Sequence, residues 1–160
     1  MTRALFLFLA AVTVVAQPGQ SEKGLIQRFQ AAVSADLGGA TMQQVREWSA
    51  VRPENLLEWK LADGTYVTIR YYTVEPGKAR VAFETHMAKI SVGSRPISGF
   101  GEQSHMVSDS DLDGYRMLVF RRGNVIVEVA AIGEQTVKRL AGLLVAEVQK
   151  EMERRRLNRE

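Results

Sequence analysis

The stretch NLLEWKLADGTYVTIRYYTV, Asn55 to Val74, decides the fold, because its turn can be tested on paper. A two-residue Asp63-Gly64 loop would set Trp59 opposite Thr68, an apolar side chain against a polar one. A three-residue loop, Ala62-Asp63-Gly64, sets Trp59 opposite Val67 and Leu57 opposite Ile69. Glu58, Lys60, Tyr66 and Thr68 then share the other face. A slip of one residue flips every side chain to the wrong face, so the apolar pattern selects the three-residue loop. Glycine in the third loop position supplies the left-handed residue that such a turn requires. The rival reading is a short helix over 54–61, since short apolar runs are ambiguous.

Working outward, the preceding segment SEKGLIQRFQAAVSADLGG places Leu25, Ile26, Phe29, Ala32, Val33 and Leu37 at helical spacing. Ser21 is the expected cap and Gly38-Gly39 the stop, for a helix over roughly 22–36. A short strand is expected near 42–48. Trp48 and Val51 ask for burial, and Arg52-Pro53 marks a break. Beyond the hairpin, EPGKARVAFETHMAKI predicts a helix with Pro76 in its first turn and a stripe of Ala79, Phe83, His86, Met87 and Ile90. SVGSRPISGFGEQS reads as a loop. Strands follow at 103–108, 115–121 and 124–131, the last two around a tip at Arg122-Gly123-Asn124. Both of those carry apolar residues on both faces, which suits a central pair covered on both sides. A long amphipathic helix ends the chain, with Val137, Leu140, Ala141, Leu144, Val148 and Met152 on its stripe. The expected fold is α+β: an antiparallel sheet of about five to six strands, packed by an N-terminal, a middle and a long C-terminal helix.

The N-terminus has the layout of a secretory signal peptide. Arg3 precedes an apolar run of 12 residues, Ala4 to Val15, and Val14-Val15-Ala16 offers small residues before a cleavage point. A span of that length is short of the ~20 residues that cross a bilayer. The expected organisation is a signal peptide at 1–16, a linker at 17–21, one α+β domain at 22–153 and a charged tail at 154–160. The expected location is the periplasm or the extracellular space, with no stable membrane insertion after cleavage. Cleavage removes one charge, Arg3, and leaves 20 basic and 18 acidic side chains. Arg154, Arg155 and Arg156 hold much of the excess. Their plain reading is a solvated helix end whose charge suits the helix dipole, so no nucleic-acid partner is expected. The chain has no cysteine, which excludes disulfides, thiolate catalysis and cysteine metal sites.

The chemistry-bearing candidates are few. Asp109, Asp111, Asp113 and Gly114 match the opening D-x-D-x-D-G of a calcium loop. Phe120 stands where a closing glutamate belongs, and both flanks read as strands. Calcium would need a further acid such as Glu102 or Glu128. The plain reading is an acidic turn. His86-Met87 and His105-Met106 have the softness for copper, but neighbouring residues point apart and cannot chelate together. No nucleophile motif occurs, and GFGEQS lacks the third glycine of a dinucleotide fingerprint.

GFGEQSHMV, a gap, and then YRMLVFRRGNVIVEVAAIG before a closing helix form a pattern over residues 97–150. It resembles small exported bacterial α+β domains, some of PsbP-like α/β/α sandwich type. The resemblance implies an exported domain and carries over no catalytic residue. This chain lacks the lipidated cysteine of the lipoprotein members.

The expected function is therefore a non-enzymatic exported domain that binds a small ligand or an envelope partner. Gly99, Gly101, Glu102, Arg121 and Arg122 are the candidate surface. No cofactor is expected. The alternatives are weak calcium binding through Asp109 to Gly114, and a carboxylate-dependent hydrolase.

Overall fold

The computed structural model describes residues 20–47, 54–90, 93–108 and 114–158. The expected signal segment, residues 17–19 of the expected linker, Trp48, Val51, Arg52-Pro53 and Asp109, Asp111 and Asp113 lie outside the described residues.

The described residues form an α+β fold with seven antiparallel strands and three α-helices. Helix α1 (Gln20–Leu37) is followed by β1 (Thr41–Arg46), β2 (Asn55–Lys60) and β3 (Tyr66–Thr73). A 3-10 turn at Pro76–Lys78 leads into α2 (Ala79–Lys89). Then come β4 (Ser94–Pro96), β5 (Gln103–Ser108), β6 (Tyr115–Arg122), β7 (Val125–Ile132) and α3 (Glu134–Leu157). The sheet order is β1-β2-β3-β7-β6-β5-β4, two meanders joined where β3 meets β7.

The hairpin register is the one selected by the apolar pattern. Trp59 stands opposite Val67 and Leu57 opposite Ile69. Leu61 donates its N–H to the Thr65 carbonyl at 2.9 Å, closing the three-residue loop, and Gly64 takes a φ of 83°. The second tip resolves to two residues, because Arg122 pairs with Val125.

Strand number departs from expectation. The additional strand is β4, inside the segment expected to be a loop. It pairs Ser94 with Val107 and Pro96 with His105. Three residues with a proline leave no periodicity to detect, and β4 exists because β5 offers it an open ladder. Helix α1 starts at Gln20, so Ser21 lies within its first turn, not ahead of it. Helix α3 continues to Leu157 and so includes Arg154, Arg155 and Arg156.

Side-chain alternation sorts the core into two layers. One face of the sheet presents Leu57, Trp59, Val67, Ile69, Tyr71, Leu118, Phe120, Val127 and Val129 to α1 and α3. Phe29 meets Tyr71 edge-on, with ring centroids 5.0 Å apart. Trp59 is fully buried, so its indole N–H needs a partner. It donates to Ser34 Oγ at 2.9 Å. The opposite face buries Val107, Val119 and Ile126 beneath Phe83 and Met87 of α2 and Ile90 just beyond its end. Strands β6 and β7 are thus covered on both sides, as their two-sided apolarity requires.

One buried charge ties the chain's ends together. Glu151 lies on the buried stripe of α3 with a side chain 1% exposed. It takes Arg28 of α1 at 2.6 Å, and Arg154 and Arg155 of its own helix at 2.9 Å each. A carboxylate this buried is stable only when paired.

Candidate functional site

Among the described residues, the face beneath α2 is only partly roofed. Helix α2 packs on β6 and β7. Towards β1, the same face carries Arg46, Glu58, Thr68 and Arg70, all partly exposed, and Gln44, which is exposed. Register puts Arg46, Leu56, Arg70, Glu128, Val119 and His105 in one row across the sheet.

Glu128 is the centre of a polar cluster at the margin of α2. Its side chain is 13% exposed. His86, on α2, brings Nε2 to 3.0 Å from Glu128 Oε1. The two atoms are close, but the approach is too poorly aligned to be a hydrogen bond. Arg70, on β3, places Nη1 3.8 Å from Glu128 Oε2. Its side chain is 34% exposed, and among the described residues this is its one charge partner. Tyr72 packs against the His86 ring, with centroids 5.9 Å apart. Burial, and then the charge of Glu128, push the Tyr72 phenol above its ordinary range. That phenol stays protonated and available as a donor. His105 lies farther along the same face against Phe83, with ring centroids 5.9 Å apart. The two histidines therefore behave as one helix-stripe residue and one strand residue. No group of three or more metal-ligating side chains occurs among the described residues.

The residues singled out from sequence do meet in space, at the opposite end of β6 from Gly114. Gly101 has a φ of 73°, and a Cβ there would stand 2.2 Å from the Arg121 carbonyl oxygen. Glu102 donates its own N–H to that oxygen at 2.9 Å. Its carboxylate accepts the Gly123 N–H at 2.9 Å and so caps the β6–β7 tip. Arg121 donates to Gln103 Oε1 at 2.7 Å and to the Gly123 carbonyl at 2.9 Å. Arg122 donates through Nε to Gln149 Oε1 at 3.0 Å. Gly99, with a φ of 94°, turns the loop that feeds this knot. Both guanidiniums are engaged by the protein's own acceptors, so the knot fastens the tip to α3.

Asp109, Asp111 and Asp113 lie outside the described residues. Of the acids that a calcium site would recruit, Glu102 sits at the far end of β6, and Glu128 sits mid-strand on β7. Sequence reasoning missed Glu128, His86, Arg70 and Tyr72 as a group. The signal available was one glutamate interrupting the apolar strand VIVEVAAI.

The sequence matches no protein-family model and no curated protein. The structure is similar to a solved GTP binding regulator from Thermotoga maritima, with a TM-score of 0.49 and 14% identity, covering 74% of this chain and 85% of that one. A likeness of this degree carries no argument about function.

Proposed function

We propose that this chain is a non-enzymatic exported domain that binds a small acidic ligand on the sheet face beside α2, against Arg70. Export rests on the N-terminal layout of Arg3, the apolar run and the small residues before Gln17. The observation that carries the site is the Arg70 guanidinium. It stands on the unroofed part of the face and is held by one 3.8 Å ion pair to Glu128. An Arg offers five N–H donors in a planar fork suited to a carboxylate or phosphate, and among the described residues Glu128 is the one acid near this fork. Glu128 anchors the fork, and His86 and Tyr72 stand on the other side of that carboxylate.

The chain's two histidines make the test direct. Citrate and inorganic phosphate are titrated separately while the ring C–H signals of His86 and His105 are followed by NMR. The expected result is a saturable shift of His86, smaller or absent at His105, and lost in Arg70→Ala. A linear, non-saturating response, or a shift that survives Arg70→Ala, overturns this reading.

A further inference from the structure

We propose that the β1 edge is an interface for a second copy of this chain, with the two β1 strands pairing antiparallel about a twofold axis at Val45. The sheet's two edges are finished differently. A sheet edge exposes unpaired N–H and C=O groups, and proteins blunt it with short strands, proline, charge or bulges; β1 carries one such irregularity, confined to Met42–Gln44. The β4 edge is blunted: it has three residues and ends in Pro96, which has no N–H. Arg95 there is also tied to Glu134 at 2.9 Å. The β1 edge has six residues, TMQQVR, with no proline or lysine, and four of the six are exposed. Val45, a β-branched apolar residue, is 45% exposed.

Hydrogen-bond parity fixes where that edge is open. Leu61 directs its N–H towards the β3 side of the hairpin, at Thr65. Bonding direction alternates along a strand, so Trp59 and Leu57 also face β3, while Lys60, Glu58 and Leu56 face β1. Val45 stands opposite Leu57. Its N–H and C=O therefore point away from the sheet, with no partner strand among the described residues. The register shift between Met42 and Gln44 distorts the other half of the strand, so an incoming ladder has its regular segment around Val45.

The second copy is the occupant that this geometry fits. Antiparallel pairing centred on Val45 forms two reciprocal Val45 N–H···O=C bonds and brings the two half-exposed valines side by side. Gln44 then faces Arg46 of the second copy, so no like charges meet. The contact is isologous and closes at two copies, because the β4 edges left outside are blunt. An interface of a single strand pair is small, so the association is weak and concentration-dependent.

The full chain, expressed with its own N-terminus, is examined by sedimentation equilibrium up to on the order of 1 mM, the range for weak association. The wild type should rise towards twice the monomer mass, and exchange of the Val45 amide should slow as concentration increases. Val45→Pro removes the outward N–H without breaking a bond within the sheet. Val45→Lys sets two ammonium groups face to face. Both variants should stay monomeric, with dilute-solution melting close to that of the wild type. A wild type that remains monomeric throughout overturns the proposal. So does a dimer that survives both variants, or one that leaves Val45 exchange unchanged.

Discussion

Glu151→Gln isolates the charge at the junction of α1 and α3, because glutamine keeps the shape and removes the charge. Glu151 receives three charged contacts, from Arg28 at 2.6 Å and from Arg154 and Arg155 at 2.9 Å each. A hydrogen bond to a charged group is worth about 1 kcal/mol more than a neutral one. The Arg154 side chain is 53% exposed and so contributes little, since water screens such a pair. The other two are about one-quarter exposed, at 28% and 27%. Removing the charge also leaves clustered guanidiniums without their acid. The expected loss is about 2–3 kcal/mol, or a fall of about 6–10 °C in Tm. Burial alone would raise the Glu151 pKa. Hydrogen bonds from Arg155 and Arg154, with the charges of Arg155 and Arg28, outweigh burial and lower it. The stabilisation is therefore complete above the ordinary glutamate value of about 4.3 and fades as pH falls through the lower folded-state value. Thermal melts of wild type and variant at neutral pH and stepwise into acid check this. The gap in Tm should be constant down to about pH 5 and then shrink. A gap that widens in acid, or a neutral-pH loss within the ~0.5 kcal/mol typical of surface changes, refutes the reasoning. Glu153→Gln, two residues on and exposed, is the control and should fall inside that margin.

Gly101→Ala should cost about 3 kcal/mol or more in urea unfolding, because it adds positive-φ strain to a clash with the Arg121 carbonyl that no side-chain rotation relieves. A loss below about 1 kcal/mol would mean that the loop does not hold this close approach. The raised Tyr72 pKa means that the folded state keeps the phenol neutral while the unfolded state ionises it. Stability should thus fall as pH climbs past about 10, and Tyr72→Phe should flatten that fall in alkaline melts. Millimolar calcium should leave the melting temperature unchanged, since Glu102 and Glu128, the acids that such a site would have to recruit, are engaged elsewhere. A rise would show that Asp109, Asp111 and Asp113 bind the ion in the native state.

The hairpin register was legible because period-two apolarity and a glycine-bearing loop admit only one alignment of Trp59 and Leu57. The helices were legible through their stripes: Phe83, Met87, Val137, Leu140, Ala141, Leu144 and Val148 are all buried. Strand β4 was not, because Ser94–Pro96 forms only where a neighbour supplies the ladder, and pattern carries no such information. The Glu151 junction was hidden for a related reason. An acid among arginines reads as a solvated face, and only the approach of Arg28, 123 positions away in sequence, makes it interior. The Glu128 cluster likewise depends on the β3–β7 seam, which sets Arg70 opposite Glu128. Gly101, Glu102, Arg121 and Arg122 were legible as a group by their turn chemistry, but sequence could not show that they satisfy one another.

The seam between the two meanders also constrains the order in which the chain can mature. Strand β3 is complete at Thr73, yet its second neighbour begins at Val125. The cluster that α1 shares with the sheet is completed by α3, which follows every strand in sequence. A nascent chain stopped short of Glu134 lacks the part of that cluster formed by Val137, Leu140, Ala141, Leu144 and Val148. The cluster between the sheet, α1 and α3 is therefore built from contacts distant in sequence and closes only once α3 has been made.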